Sequence, residues 1–231
     1  MSITEELTKE LLEELNCDTA FTIPLFGGIA VPESVVVTWI IMAVLVIVAF
    51  ILTRNLKVDH ISKRQAVAES IVTGLMNMVQ GMVGEKGRKY VPYLTTVMLY
   101  IGVSNIIGLF GFKSPTKDLR VTVALALMSI ILIEAAGIYH KGVKRWLHGF
   151  VEPVAIVTPI NILEVVTKPL SLCMRLFGNV LGAFVIMELL KMILPVGLPV
   201  VFSLYFDIFD GLLQAYVFVF LTSLYIDEIT E

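Results

Sequence analysis

Residues 35–53 read VVVTWIIMAVLVIVAFILT, 19 positions without a charge. As a helix rising 1.5 Å per residue, this stretch reaches about 28 Å, enough to cross a hydrocarbon core of about 30 Å. No soluble domain hides such a segment easily, so it decides the fold class. The composition agrees. Of the 231 residues, 57% are hydrophobic and 16% charged, where a soluble domain of this size carries about 25% charged residues. The chain is read as a polytopic membrane protein.

Upstream, residues 1–33 are expected to form an arm outside the membrane. Glu5, Glu6, Glu10, Glu13, Glu14 and Asp18 face a single Lys9, the reverse of a basic signal-peptide start. Ile3, Leu7, Leu11, Leu12 and Leu15 recur at helical spacing, which suits either a short acidic amphipathic helix or a solvated arm. Downstream, Arg54 and Lys57 end the first span. From about 58 to 83 the pattern changes to one apolar face, with Asp59, Lys63, Arg64, Glu69 and Asn77 opposite. That pattern predicts an interfacial helix rather than a second crossing.

Gly84 to Gly87 marks a turn, and spans follow at about 91–112 and 119–139. His140, Lys141, Lys144, Arg145 and His148 then read as a basic loop. The remainder reads as two long apolar helices, about 153–193 and 199–228, separated by Pro195, Gly197 and Pro199. Some 40 residues span about 60 Å as a helix, so the first of these is expected to tilt strongly. The expected fold is all-α, with five membrane helices and one interfacial helix, residues 34–231 forming a single membrane domain.

Orientation follows from Lys and Arg. Arg54, Lys57, Lys63, Arg64, Lys86, Arg88 and Lys89, with Lys141, Lys144 and Arg145, fall on one side of the membrane, against Lys113, Lys117 and Arg120 on the other. The positive-inside rule makes the richer side cytoplasmic. The N-terminus is then outside and the C-terminus inside. Cys17 and Cys173 are far apart, which predicts neither a disulfide framework nor a metal site. The absence of a phosphate loop, HExxH or CxxC predicts no cofactor and no covalent chemistry by this chain alone. No nucleic-acid partner is expected.

Polar residues inside the apolar helices carry the functional signal. Arg175 sits mid-way along the first long helix, and a guanidinium keeps its proton even there. The cost is about 2.5–3.5 kcal/mol on insertion scales, which points to a polar partner or a water-filled path. Lys168, Ser171, Arg175, Gly178, Asn179 and Gly182 follow steps of three and four and share a stripe. Asp207, Asp210 and Gln214 share another on the last helix. If the two helices run antiparallel, the Gln214 amide oxygen can accept from Arg175. Plainer readings stand beside these. GNVLG is a GxxxG packing motif, Lys168 can snorkel, Asn179 can bond across helices, and Arg175 can pair with Glu164 or Asp207.

KPLSLCMRLFGN at Lys168–Asn179 resembles the signature of subunit a of the membrane sector of F-type ATP synthases. DIFDGLLQAYVFVFLT at Asp207–Thr222 is similar to that family's last helix, and PINILE at Pro159–Glu164 and DLRVTVALAL at Asp118–Leu127 also fit. The resemblance covers the chain from the first span to the C-terminus.

It implies a non-catalytic stator in a bacterial-type cell membrane. The implied partners are a rotating ring of c subunits, the b-subunit peripheral stalk, other ATP synthase subunits and the lipid bilayer. By similarity, Arg175 would separate two half-channels and hold each passing ring carboxylate ionised. Gln214 would support it, and Asn179 would polarise the ring interface that Ser171, Gly178, Gly182 and Lys168 also form. Asp207 and Asp210 would line the outer path and Glu164 the inner one. Many members carry a carboxylate or His nine residues after the arginine, but here that position is Phe184. Glu188 is expected to take over its role. Glu134 would face the inner path or pair with His140 or Lys141. The coupling ion, H⁺ or Na⁺, stays open because its ligands are on the ring. The alternative is a secondary transporter using Arg175 to hold an anionic substrate. Such folds show internal repeats, and none is visible between 35–112 and 119–228.

Overall fold

The computed structural model describes residues 19–23, 29–54, 62–110, 114–149, 158–193, 197 and 202–230. The acidic segment expected at 1–18 lies outside them. Just before the first span the chain forms a ribbon that the sequence reading did not foresee. Strands β1 (Thr19–Ile23) and β2 (Ile29–Pro32) pair antiparallel, with Ile23 opposite Ile29. Thr19, Thr22, Ile23, Ile29 and Val31 are β-branched and suit a pleated strand.

Helix α1 (Glu33–Thr53) starts directly at the ribbon's end, with the Glu33 carboxylate in its first turn, where the helix dipole favours it. It stands at the edge of the bundle. Only 6% of its apolar window is buried, and Trp39, Val46 and Phe50 face outward. It is held at its N-terminal end by two polar ties. Ser34 donates to the Asp118 carboxylate, and the Thr38 hydroxyl bonds to Tyr100 at 3.1 Å.

Helix α2 (Lys63–Met82) is capped by Ser62, whose hydroxyl accepts from the Gln65 N–H. It is not among the five helices long and apolar enough to cross a membrane, in keeping with its amphipathic pattern. A tight 3₁₀ turn over Glu85–Tyr90 leads into α3 (Val91–Ile106). Two further 3₁₀ turns, Ile107–Phe110 and Pro115–Lys117, follow. Helix α4 (Leu119–Lys141) is capped by Asp118, which accepts from the Arg120 N–H at 2.9 Å.

The basic segment after α4 is a helix rather than the expected loop. Gly142, at φ 76°, makes the sharp turn that L-residues resist, and α5 (Val143–Gly149) follows. Helix α6 (Thr158–Ile193) has 36 residues, about 54 Å of rise. Pro169 lies inside it and removes one backbone donor. The last helix begins irregularly. Leu204–Asp210 is a π-helical turn in which the Gly211 N–H reaches back to the carbonyl of Phe206, and α7 (Gly211–Thr230) continues from it.

Helix α7 is central, packed against α3 and α4, while α4 lies between α6 and α7. Leu94, Ile101, Ile133, Leu172, Leu176, Phe218 and Ile226 fill the shared core. Helices α3 and α7 come close at Gly211, where a Cβ would stand 2.8 Å from that of Asn105. The described residues from 33 to 230 therefore form a multi-pass membrane bundle built almost wholly of helix.

Candidate functional site

Arg175 lies at the mid-point of α6, with 17 helical residues before it and 18 after. Leu172, Cys173 and Leu176 turn inward to α4 and are buried. The opposite stripe, Ser171, Arg175, Gly178 and Asn179, is exposed, with Gly182 half-buried above it. An added Cβ at Gly178 or Gly182 would meet nothing within 4 Å. The glycine motif therefore does not serve packing among the described residues. Among the described residues Arg175 has neither a hydrogen bond nor an ion pair, so the internal pairings with Glu164 and Asp207 are not formed.

Two polar ties join α6 to α7, one on each side of Arg175. Four residues further along α6, Asn179 Nδ2 donates to Gln214 Oε1 at 2.6 Å. The sequence reading offers that oxygen to Arg175; the structure gives it to Asn179. Gln214 is 1% exposed, and its Nε2 has no partner among the described residues. Seven residues before Arg175, Lys168 Nζ donates to both Glu228 oxygens at 3.0 and 3.1 Å, with Glu164 at 3.8 Å and the Tyr225 ring 5.3 Å away. Lys168 therefore leans toward α7 and leaves the open stripe.

At the end of the bundle that holds the start of α6 and the close of α7 lies a cavity of about 290 Å³ lined by Glu134, Lys141, Arg145, Trp146, Asn161, Glu164, Lys168 and Glu228. Glu134 accepts from the Trp146 indole N–H at 2.9 Å, where the sequence reading offered it the inner path, His140 or Lys141. Glu228 carries no sequence signal of its own, because its partner Lys168 is 60 residues away.

The opposite end is built by the chain between α3 and α4. Asn105 donates to the Gly211 carbonyl at 2.9 Å and accepts from Thr116 at 2.7 Å; Ser114 bonds to Thr116 and to the Ser104 carbonyl. This network, buried throughout, fixes the 115–117 turn against α3 and the start of α7. Asp207, in the π turn, rests beside Gly108, whose added Cβ would stand 3.5 Å from the carboxylate. Asp210 is half-buried. Lys117 lies over the Phe184 ring at 4.6 Å. The Glu188 side chain is outside the described residues. Sequence reading gave Asn105, an amide inside a span, no role at the site, and counted Lys117 only as a cation on the cation-poor side.

Among the described residues no group of three or more His, Cys, Asp or Glu is arranged to hold a metal. The arrangement consists of a lone mid-helix cation on an open stripe, a polar cavity at one end and a carboxylate pair at the other. That suits passing ions rather than making bonds.

Comparison with known proteins agrees with the residue reading. The family model for the ATP synthase A chain matches residues 35–227. ATP synthase subunit a of Moorella thermoacetica is 35% identical over 202 residues, covering 87% of this chain and 91% of that one. A subunit a of Crocosphaera subtropica is 30% identical over 195 residues, covering 84% of each. The Propionigenium modestum protein described as ATP synthase subunit a, sodium ion specific, is 34% identical over 215 residues, covering 86% of this chain and 74% of its own.

Proposed function

The chain belongs to the ATP synthase A chain family, and on that premise we propose that it forms the stator wall along which a ring of c subunits turns. Subunit a has no catalytic site of its own; its work is ion transport within the membrane sector. Membership also removes the ground for the transporter alternative. The observation that carries the reading is Arg175, alone at the centre of α6 on a stripe that the chain leaves open.

In this reading the ring covers that stripe, and Gly178 and Gly182 let it approach closely. A permanent cation in a medium of low dielectric strongly favours a neighbouring carboxylate in its ionised form. Each ring carboxylate reaching Arg175 must therefore give up its ion before it passes. The same charge repels H⁺ and Na⁺, so ions cannot leak straight from one path to the other. A leak would be costly, since one charge crossing 100 mV yields only about 2.3 kcal/mol. Gln214, fixed by Asn179, supports the site and keeps an unused donor at Nε2 for a passing group.

Ions reach the ring by two offset paths. The inner one opens through the charged cavity that Glu164 lines. The outer one runs past Asp207 and Asp210, with Glu188 on α6 above Phe184. Residues 34–231 thus act as one ion-translocating domain, oriented with the C-terminus in the cytoplasm. The c ring and the b-subunit stalk are the partners this role requires.

The test replaces Arg175 with Ala in vesicles carrying the whole complex. Ion-driven ATP synthesis is expected to be lost while passive ion exchange through the membrane sector persists. Synthesis near the wild-type rate would overturn the reading.

A further inference from the structure

Between Glu134 and Glu152 the chain has no carboxylate, while Lys141, Lys144 and Arg145 fall within five residues. This run holds α5, to which the ion path gives no role. At about 100° per residue, Val143, Trp146 and Leu147 share one side of α5, and Lys144, Arg145 and His148 share the other. The tryptophan fixes the helix in place. Its indole donates to Glu134, and its ring edge fills the space over Gly137, where an added Cβ would stand 3.2 Å from Cδ1. Val143 and Leu147 are left 57% and 55% exposed. A membrane span ends at Lys141, and only Gly142 separates it from α5. The apolar side therefore opens at the rim of the hydrocarbon rather than in bulk water.

The cations beside it are uncommitted. Among the described residues Lys141, Lys144 and Arg145 have neither a hydrogen bond nor an ion pair. The carboxylates of the adjoining cavity are engaged elsewhere, Glu134 by Trp146, and Glu164 and Glu228 by Lys168. Two residues before Lys141, the Tyr139 ring is 67% exposed. Lys89 donates to its hydroxyl at 3.1 Å and lies 4.8 Å from the ring centre. Such a ring, apolar in body and polar at its tip, suits the depth of lipid headgroups.

We propose that α5 is a docking surface for the headgroup of an anionic phospholipid. Lys141, Lys144 and Arg145 take the phosphate oxygens, Arg145 with a planar fork that matches two of them. Val143 and Leu147 lie against the upper carbons of the acyl chains. The occupant is a lipid because the surface joins unpaired cations to exposed aliphatic side chains at the close of a membrane span. That is the combination by which a basic amphipathic helix holds an anionic leaflet. A purely acidic partner would satisfy the cations and leave Val143 and Leu147 in water. The site depends on the membrane bundle alone and not on the ring.

The test uses the whole complex, reconstituted in vesicles of phosphatidylcholine with a minor fraction of phosphatidylglycerol. Leu147 is replaced by a photoreactive diazirine amino acid, and after illumination mass spectrometry reads the ratio of the two lipids among the adducts at that position. With all three cations present, phosphatidylglycerol is expected to be enriched at least about fivefold over its bulk ratio, the preference conferred by one near-surface cation. Lys141→Gln, Lys144→Gln and Arg145→Gln combined should return the ratio to bulk, while Lys141→Arg with Lys144→Arg keeps the enrichment. A bulk ratio with the three cations in place would overturn the proposal, and so would enrichment that survives their loss. Adducts to a protein chain in place of lipid would also overturn it, and would give the surface to a protein partner.

Discussion

Gly178 and Gly182 separate packing within the chain from packing against a partner. An added Cβ at either position has nothing within 4 Å to strike. In the free subunit, Gly178→Ala and Gly182→Ala therefore bring only the gain in helix propensity, about 0.8–1.0 kcal/mol each and about 2 kcal/mol together. On the proposed reading the same positions face the ring in the assembled complex, and a larger side chain must push it away or clash. Overpacking of a close interface costs about 1–3 kcal/mol, enough to slow rotation by about fivefold to more than a hundredfold if it falls on the barrier. Two assays are needed. Denaturant titration of the detergent-solubilised subunit should show the double alanine variant unfolding later than wild type. Potential-driven ATP synthesis by the reconstituted complex should fall at least several-fold with Gly178→Leu. A less stable double variant would mean that the glycines pack inside the chain. A wild-type rate with Gly178→Leu would mean that no partner comes close to the Arg175 stripe.

Further outcomes follow from the two ties between α6 and α7. Asn179→Leu strands the buried Gln214 oxygen and should destabilise the subunit by about 1–3 kcal/mol. Gln214→Leu removes an amide whose Nε2 is already unpartnered, so its cost should stay below about 1 kcal/mol; unfolding midpoints in the reverse order would contradict this. Lys168→Glu brings a third carboxylate beside Glu164 and Glu228, and should lower ATP synthesis by the assembled complex several-fold. Adding Glu228→Lys restores one opposite-charge contact and should recover much of the loss, and no recovery would show that the pair does not set the register of the two helices.

The spans were legible because crossing a membrane imposes a length and a scarcity of charge; both are written most plainly into 35–53, while 119–139 and the two long C-terminal runs keep the length and carry a few charges. The amphipathic helix before Glu85 was legible for the same reason, through its period. Other features depend on contacts and left little trace. The β1–β2 ribbon is too short for periodicity to distinguish it from the expected arm. Helix α5 hides in a basic segment because seven residues form a helix only when something holds them, here the Trp146–Glu134 bond and packing on α4. At the candidate site, spacing put Arg175, Gly178 and Asn179 on one stripe, but not whether that stripe faced in or out. The α-period also cannot show that Gln214 answers to Asn179, or that Lys117 comes to rest on Phe184, 67 positions later in the chain.

The π turn ahead of α7 has a consequence for the angular phase of the last helix. An α-helix advances about 100° per residue, so one residue's position fixes the bearing of every other. A turn closed by i→i+5 bonds takes up an extra residue and breaks that link. Asp207 lies within this turn and Gln214 beyond it, so their bearings are set separately. Deleting one residue within 208–210, so that the helix closes to α pitch, would carry Asp207 about 100° around the axis and leave Gln214 where it is. The outer carboxylate can therefore be re-aimed, residue by residue, toward a different partner or a different ion while the glutamine beside the arginine keeps its place.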